Sequence, residues 1–182
     1  MIVFGGMLLA FAVFSGSKTS NAEKPRAPVI PAHADNSFQF LVHAPLSVAA
    51  PLFGPEGERS WAGDEWNPQF LYPQPGKDVQ GAVFMVQQGA HSSVWVATLL
   101  DLPGGRMQYV SVVPGVRLSI VDVWLTARDA STTSVEVRYA RTALDVAAND
   151  EVQALGESDG QQGPHWQEAI EKYLGQQRDG TR

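Results

Sequence analysis

From residue 79 onward the chain consists of strand-like segments joined by turns so short that each segment must fold back on the one before it. Val79 to Gln87, Ser92 to Leu100, Arg106 to Val113, Val116 to Arg128 and Thr132 to Arg141 are rich in Val, Trp, Tyr and Thr, residues that suit a pleated, half-buried surface. Between them stand Gly89-Ala90-His91, Asp101 through Gly105, Pro114-Gly115 and Asp129-Ala130-Ser131, all good hairpin connections. A parallel neighbour needs a crossover of a dozen or more residues, so these strands are expected to pair antiparallel. In the last segment Val135, Val137 and Tyr139 alternate with Ser134, Glu136 and Arg138. One face of the sheet must therefore meet something apolar.

The end of the chain supplies a cover for that face. Gly163-Pro164 reads as a helix start. Trp166, Ala169, Ile170, Tyr173 and Leu174 then repeat at helical spacing, opposite Gln167, Glu168, Glu171 and Lys172. Gly175 reads as the stop. Ahead of this helix, Asp150 to Leu155 is expected to form a turn or two, and Gly156 to Gly163 a loop. Ahead of the strand run, Phe38, Phe40 and Val42 alternate with Gln39, Leu41 and His43, which predicts a first strand from about Ser37. Pro45 opens a short helical stretch with Leu46, Ala49, Leu52 and Phe53 on one face, ended by Gly54-Pro55; a second short helix is expected from Pro55 to Trp61. The fold class implied is α+β.

Ile2 to Phe14 is an uncharged apolar run of thirteen residues. As a helix it would rise about 20 Å, short of the roughly 30 Å hydrocarbon core of a bilayer. Small residues follow, and Ser20-Asn21-Ala22 fits a processing site. Residues 1–22 are therefore expected to be a signal peptide or an N-terminal hydrophobic anchor. Residues 23–36, with Pro25, Pro28 and Pro31, read as a linker, 37–175 as the domain, and 176–182 as a disordered tail. The expected location is exported, periplasmic or secreted; the alternatives are anchorage by residues 2–14, or a cytoplasmic protein with a misassigned start.

The 13 Lys and Arg residues are scattered through a chain of net charge −6, which argues against nucleic acid as a partner. Cysteine is absent, so disulfides, thiol nucleophiles and thiolate metal sites are excluded. His33, His43, His91 and His165 fall on separate segments without metal-ligand spacing. There is no Gly-x-Ser-x-Gly elbow or phosphate-binding glycine loop. No metal, no cofactor and a monomer are expected.

One strand, two short helices, a strand meander and a long amphipathic helix form a specific order. The stretches Glu58-Arg59-Ser60-Trp61, Trp66-Asn67-Pro68, Tyr72-Pro73, Gly81 with Phe84, Val94-Trp95-Val96, and Tyr139 with Thr142-Ala143-Leu144 give it a resemblance. Over about Phe38 to Leu174 the chain resembles the START-related SRPBCC superfamily of polyketide cyclases, lipid-transfer domains and plant pathogenesis-related allergens, within a bacterial subgroup that has no assigned reaction. The resemblance implies a helix-grip fold: a curved antiparallel sheet wrapped around a long C-terminal helix, with two short helices after the first strand. It also implies a cavity between sheet and helix for an apolar or amphipathic small molecule.

Trp61, Trp66, Tyr72, Phe84, Trp95, Tyr109, Trp124 and Tyr139 could line that cavity, and all but Trp61 are the candidate ligand-binding residues. Each offers an apolar wall, and the Trp and Tyr residues add one polar handle. The competing reading for each is plain core packing. Glu58, Arg59, Asp64 and Glu65 read as a surface charge network; the functional alternative turns Glu58 or Arg59 inward onto a polar group. Asp122, flanked by Val121 and Val123 and with apolar residues at 118, 120 and 124, is the candidate acid or base if it faces the cavity. With Tyr109 or Arg117 it would serve a cyclase- or dehydratase-type enzyme. The leading reading is a binding or transport module for a small hydrophobic or amphipathic molecule rather than an enzyme.

Overall fold

A computed structural model describes residues 29–179. The expected leader, the first part of the linker and the last three residues of the tail lie outside the described residues. Seven antiparallel strands form one sheet in the order β1-β7-β6-β5-β4-β3-β2. They are β1 (His33–Val42), β2 (Gln69–Tyr72), β3 (Val83–Gln88), β4 (His91–Asp101), β5 (Arg106–Val113), β6 (Arg117–Ala127) and β7 (Thr133–Ala143). The short helix α1 (Leu46–Ala49) and two 3-10 turns, Ala50–Phe53 and Gly57–Ser60, follow β1; α2 (Asn149–Asp159) and α3 (Gly163–Asp179) close the chain. Among the described residues no helix is long and apolar enough to cross a membrane.

The meander follows from its turns. Gly89, Gly105 and Gly115 each take positive φ at a hairpin, a conformation that costs glycine nothing. At Gly105 a Cβ would also stand 2.4 Å from the Leu125 carbonyl oxygen, so no other residue fits. β1 then returns to pair along the whole of β7, from His33 opposite Thr142 to Val42 opposite Thr133. It therefore begins at His33, ahead of the expected Ser37, because residues 33–36 find sheet partners. A register shift in β4 between Ala97 and Leu99 is the kind of irregularity that bends a strand.

The core lies between the concave face and α3. Val42, Val135, Val137 and Ile170 are fully buried and Leu174 nearly so; burial stabilises by about 1.5–3 kcal/mol for each such side chain. Phe38 and Phe40 meet the Trp166 ring edge-on at 5.3 and 6.5 Å. α3 runs through Gly175 to Asp179 rather than stopping there. The expected loop at 156–163 is largely helix, since α2 continues to Asp159. Its Gly156 makes this possible: a Cβ there would lie 2.5 Å from the Ala34 side chain on β1. The second short helix, expected from Pro55, is the single turn Gly57–Ser60.

Candidate functional site: a cavity under the last helix

Strand parity and cross-strand register place a row of small side chains in the middle of the concave face. Trp95 pairs with Ser111, Ser111 with Ser119, and Ser119 with Arg141. The next row runs Ala97, Tyr109, Val121, Tyr139. Serines stand where a larger residue would reach α3, and Trp95 and Arg141 flank them. The result is a cavity of about 370 Å³, within the range of small-molecule pockets. Its opposite wall comes from Trp61 and Trp66, carried by the segment after the first short helices, and from Trp166 and Ala169 of α3. Four of the five tryptophans thus border one space. Ala62, Glu65, Gln88 and His165 line it too and are exposed to solvent, so they form its mouth.

The polar groups of the lining are mostly committed to the protein. The indole N–H of Trp61 donates to the Leu52 carbonyl at 2.7 Å, that of Trp66 to Pro55 at 3.0 Å, and that of Trp95 to Ser93 Oγ at 2.8 Å. Tyr109 donates its hydroxyl to the Phe53 carbonyl at 2.7 Å. Arg141 makes a two-pronged pair with Asp159 of α2, both bonds 2.7 Å, and its guanidinium lies 4.2 Å over the Tyr139 ring. Arg117 pairs with Glu151, also on α2. Each cavity arginine therefore already has a carboxylate.

Glu58 differs. It sits in the turn Gly57–Ser60 and lines the cavity. Two features hold that turn. A Cβ on Gly57 would clash with the Pro51 carbonyl oxygen at 1.8 Å, so only glycine allows the two 3-10 turns to touch. The Asp78 carboxylate accepts the backbone N–H of Glu56 at 2.8 Å and of Gly57 at 3.3 Å. Arg59, next in the chain, points outward to Glu56, Asn67 and the Pro68 carbonyl. The Glu58 carboxyl has no hydrogen-bond partner or cation among the described residues. Removal from bulk water, and secondarily the nearby Asp78 charge, push its pKa well above the usual carboxylate value. Burial raises Tyr109 and Tyr139 as well, and a charge on Glu58 would add to both shifts.

Among the expected liners, Trp66, Trp95, Tyr109 and Tyr139 border the cavity, as does Arg117. Phe84 is completely buried behind the wall, stacked on Trp95 at 6.0 Å and 12°. Tyr72, on the edge strand β2, is 60% exposed and away from the cavity. Trp124 is on the outer face, between Arg106 and Glu136 in the ladder, and borders a separate shallow groove with Gln39 and Arg128. Asp122 is also on the outer face, where it accepts from Gln108 Nε2 at 2.8 Å and lies 3.7 Å from Arg138 Nη1. It cannot act in the cavity. Its apolar strand mates Leu118 and Ile120 do point the same way, but outward. They belong to aliphatic rows that cross the outer face, Met85-Val94-Val112-Leu118 and Val83-Val96-Val110-Ile120. The expected surface network is correct for Arg59 and wrong for Glu58. Trp61 borders the cavity as its place beside Trp66 suggests, whereas Trp166, the lining serines Ser93, Ser111 and Ser119, and the Arg141–Asp159 pair carry no comparable signal in the sequence. Parity marks Ser111 and Ser119 as inward once Tyr109 and Val121 are so placed. Among the described residues no three His, Asp or Glu side chains come together as a metal site.

No family model matches the chain, and no curated protein matches it by sequence. Solved structures do match in three dimensions. A putative uncharacterized protein from Rhizobium leguminosarum superposes with a TM-score of 0.57 at 15% identity, covering 81% of this chain and 97% of its own. Norcoclaurine synthase from Thalictrum flavum, in complex with dopamine and hydroxybenzaldehyde, gives 0.57 at 10% identity, covering 79% and 87%. The di-domain ARO/CYC BexL from the BE-7585A biosynthetic pathway gives 0.55 at 13% identity, covering 77% of this chain and 46% of that one. At these identities the likeness speaks for architecture. The curved seven-stranded antiparallel sheet gripping a C-terminal helix is the α+β helix-grip fold of Bet v1-like proteins.

Proposed function

We propose that the protein binds a small amphipathic molecule in the cavity between its sheet and α3. The observation that carries this reading is the space itself. A hollow of about 370 Å³ survives between the sheet and α3, beside fully buried Val135, Val137 and Ile170, whereas protein interiors are normally close-packed. Leaving it empty forfeits the contacts its lining would otherwise make. Its lining combines indole and phenol surface with serine hydroxyls and the Glu58 carboxyl, which suits a guest with an apolar body and a polar group. Bet v1-like neighbours include a synthase solved with two small aromatic molecules and a cyclase, and this supports a small-molecule cavity here.

An enzymatic version of the same reading no longer rests on Asp122. The carboxyl inside the cavity is Glu58, which burial favours in its protonated form, and it is the side chain there that could give or take a proton. The leading reading remains binding, because Glu58 has no second acid–base group bonded to it to form a relay.

Native mass spectrometry of the full chain against a panel of aromatic amines, phenols, sterols and fatty acids tests the reading. The expected result is one guest per chain for a compact aromatic member of the panel, displaced by a second such compound. A folded protein that takes no member of the panel overturns it.

A further inference from the structure

The cavity's unsatisfied chemistry has one sign. Three of its four indoles spend their N–H groups on the Leu52 and Pro55 carbonyls and on Ser93, and so does Tyr109 on Phe53. These rings therefore offer a guest their π surfaces and oxygen lone pairs and not donors. Both guanidinium groups are held by α2 carboxylates, Arg117 by Glu151 and Arg141 by Asp159, so an anionic guest would have to compete for them. Among the described residues, one ionisable group inside is left without a counter-ion, the Glu58 carboxyl. Asp78 lies behind it and Glu65 stands at the mouth. Counting each ionisable partner, the carboxylates around the space outnumber the guanidiniums.

The geometry points to an organic cation as the guest: an amine or quaternary ammonium on an apolar body, its charge set against Glu58 and its substituents against the faces of Trp61, Trp66, Trp95 and Trp166. Aromatic faces attract such cations, by about 0.5–2 kcal/mol per contact. A carboxylate that lines the cavity without a partner of its own is the complementary half of the site. This rests on the cavity being a ligand site, and it assigns the guest's charge.

The assignment carries a proton linkage. Without a guest, Glu58 is favoured in its un-ionised form by burial and by Asp78. A bound cation favours the carboxylate, so binding expels the Glu58 proton and affinity rises with pH until Glu58 is ionised in the free protein. The other titratable or charged groups facing this space are Tyr109 from β5, Arg117 from β6, Tyr139 and Arg141 from β7, and Glu65 and His165 at the mouth. The phenols are pushed up and stay neutral in the working range. Glu65 and His165 are exposed; Asp122→Asn and Glu136→Gln, both on the outer face of the sheet away from the cavity, serve as controls.

The test is isothermal titration calorimetry of the full chain with benzyltrimethylammonium and with neopentylbenzene, its uncharged carbon isostere, in buffers of different ionisation enthalpy. The expected result is that the cation binds at least about tenfold more tightly than the isostere, a difference within reach of one ion pair plus aromatic contacts. At a pH where Glu58 is protonated in the free protein, binding should release a proton, and Glu58→Gln should abolish both the release and the preference, while the two control variants keep them. Equal or tighter binding of the isostere, or no effect of Glu58→Gln on the cation, overturns the inference and leaves the small-molecule cavity standing. Absence of binding by both compounds overturns the inference; binding of other members of the panel then decides the wider reading separately. The isostere comparison on the native chain needs no variant, so a folding defect in Glu58→Gln does not shield the inference.

Discussion

Glu58 occupies a position that a stable interior would assign to an apolar residue. Its folded pKa lies above the free value of 4.5, so the folded chain holds a proton that the unfolded chain releases as pH rises from about 4.5. Over that window the unfolded state binds fewer protons and stability falls with increasing pH; above the folded pKa the full penalty is in place. Glu58→Gln removes the ionisation and keeps the shape. Denaturant unfolding should therefore find the variant equal to the native protein near pH 4 and more stable at pH 7 and above. A native protein that is the more stable of the two at pH 7 would contradict the assignment. This residue was hard to read in the sequence for a physical reason. It lies on a single 3-10 turn, where neither the 3.6 nor the 2.0 period applies, and its neighbour Arg59 has the opposite orientation. Asp122 misled for the converse reason: the usual rule that apolar strand mates mark the inner face fails on a sheet whose outer face also carries aliphatic rows.

At the level of elements, α2 does more than connect β7 to α3. Through Glu151 and Asp159 it neutralises both arginines of the cavity, and Gly156 lets it lie close on β1. Asp159 is 4% exposed. Asp159→Asn leaves Arg141 beside the cavity without its counter-charge, and breaking such a buried pair is expected to destabilise by about 3–5 kcal/mol. Thermal unfolding checks this, and a loss of less than about 1 kcal/mol would place Arg141 in solvent contact instead. The strands were legible because alternation and glycine turns are local signals, and so was α3, whose apolar stripe repeats over two turns and more. α2 was not, since Gly156 and Gly160 read as helix breakers in isolation. Only the close approach to Ala34, a contact more than a hundred residues away in the chain, accounts for a glycine inside that helix.

For the whole molecule, the helix-grip arrangement could be read from element order, and the presence of a hollow could be expected from it. Its lining could not, because the segment from Glu58 to Trp66, the strands β3 to β7 and α3 all contribute and the identity of each wall depends on strand register. Ser111, buried at the centre of the concave face, is where the molecule can be made solid. Ser111→Phe should fill the space, lower affinity for any cavity guest by at least about tenfold, and leave the thermal midpoint no lower than that of the native chain, as cavity-filling changes commonly do. Retained affinity in that variant would move the binding site elsewhere. The crowding of indoles around the opening has a practical consequence too. Trp61, Trp66, Trp95 and Trp166 all border the space, whereas Trp124 stands on the far side of the sheet. The protein thus carries its own optical gauge: emission from four rings should shift when a guest displaces solvent, over a steady background from the fifth.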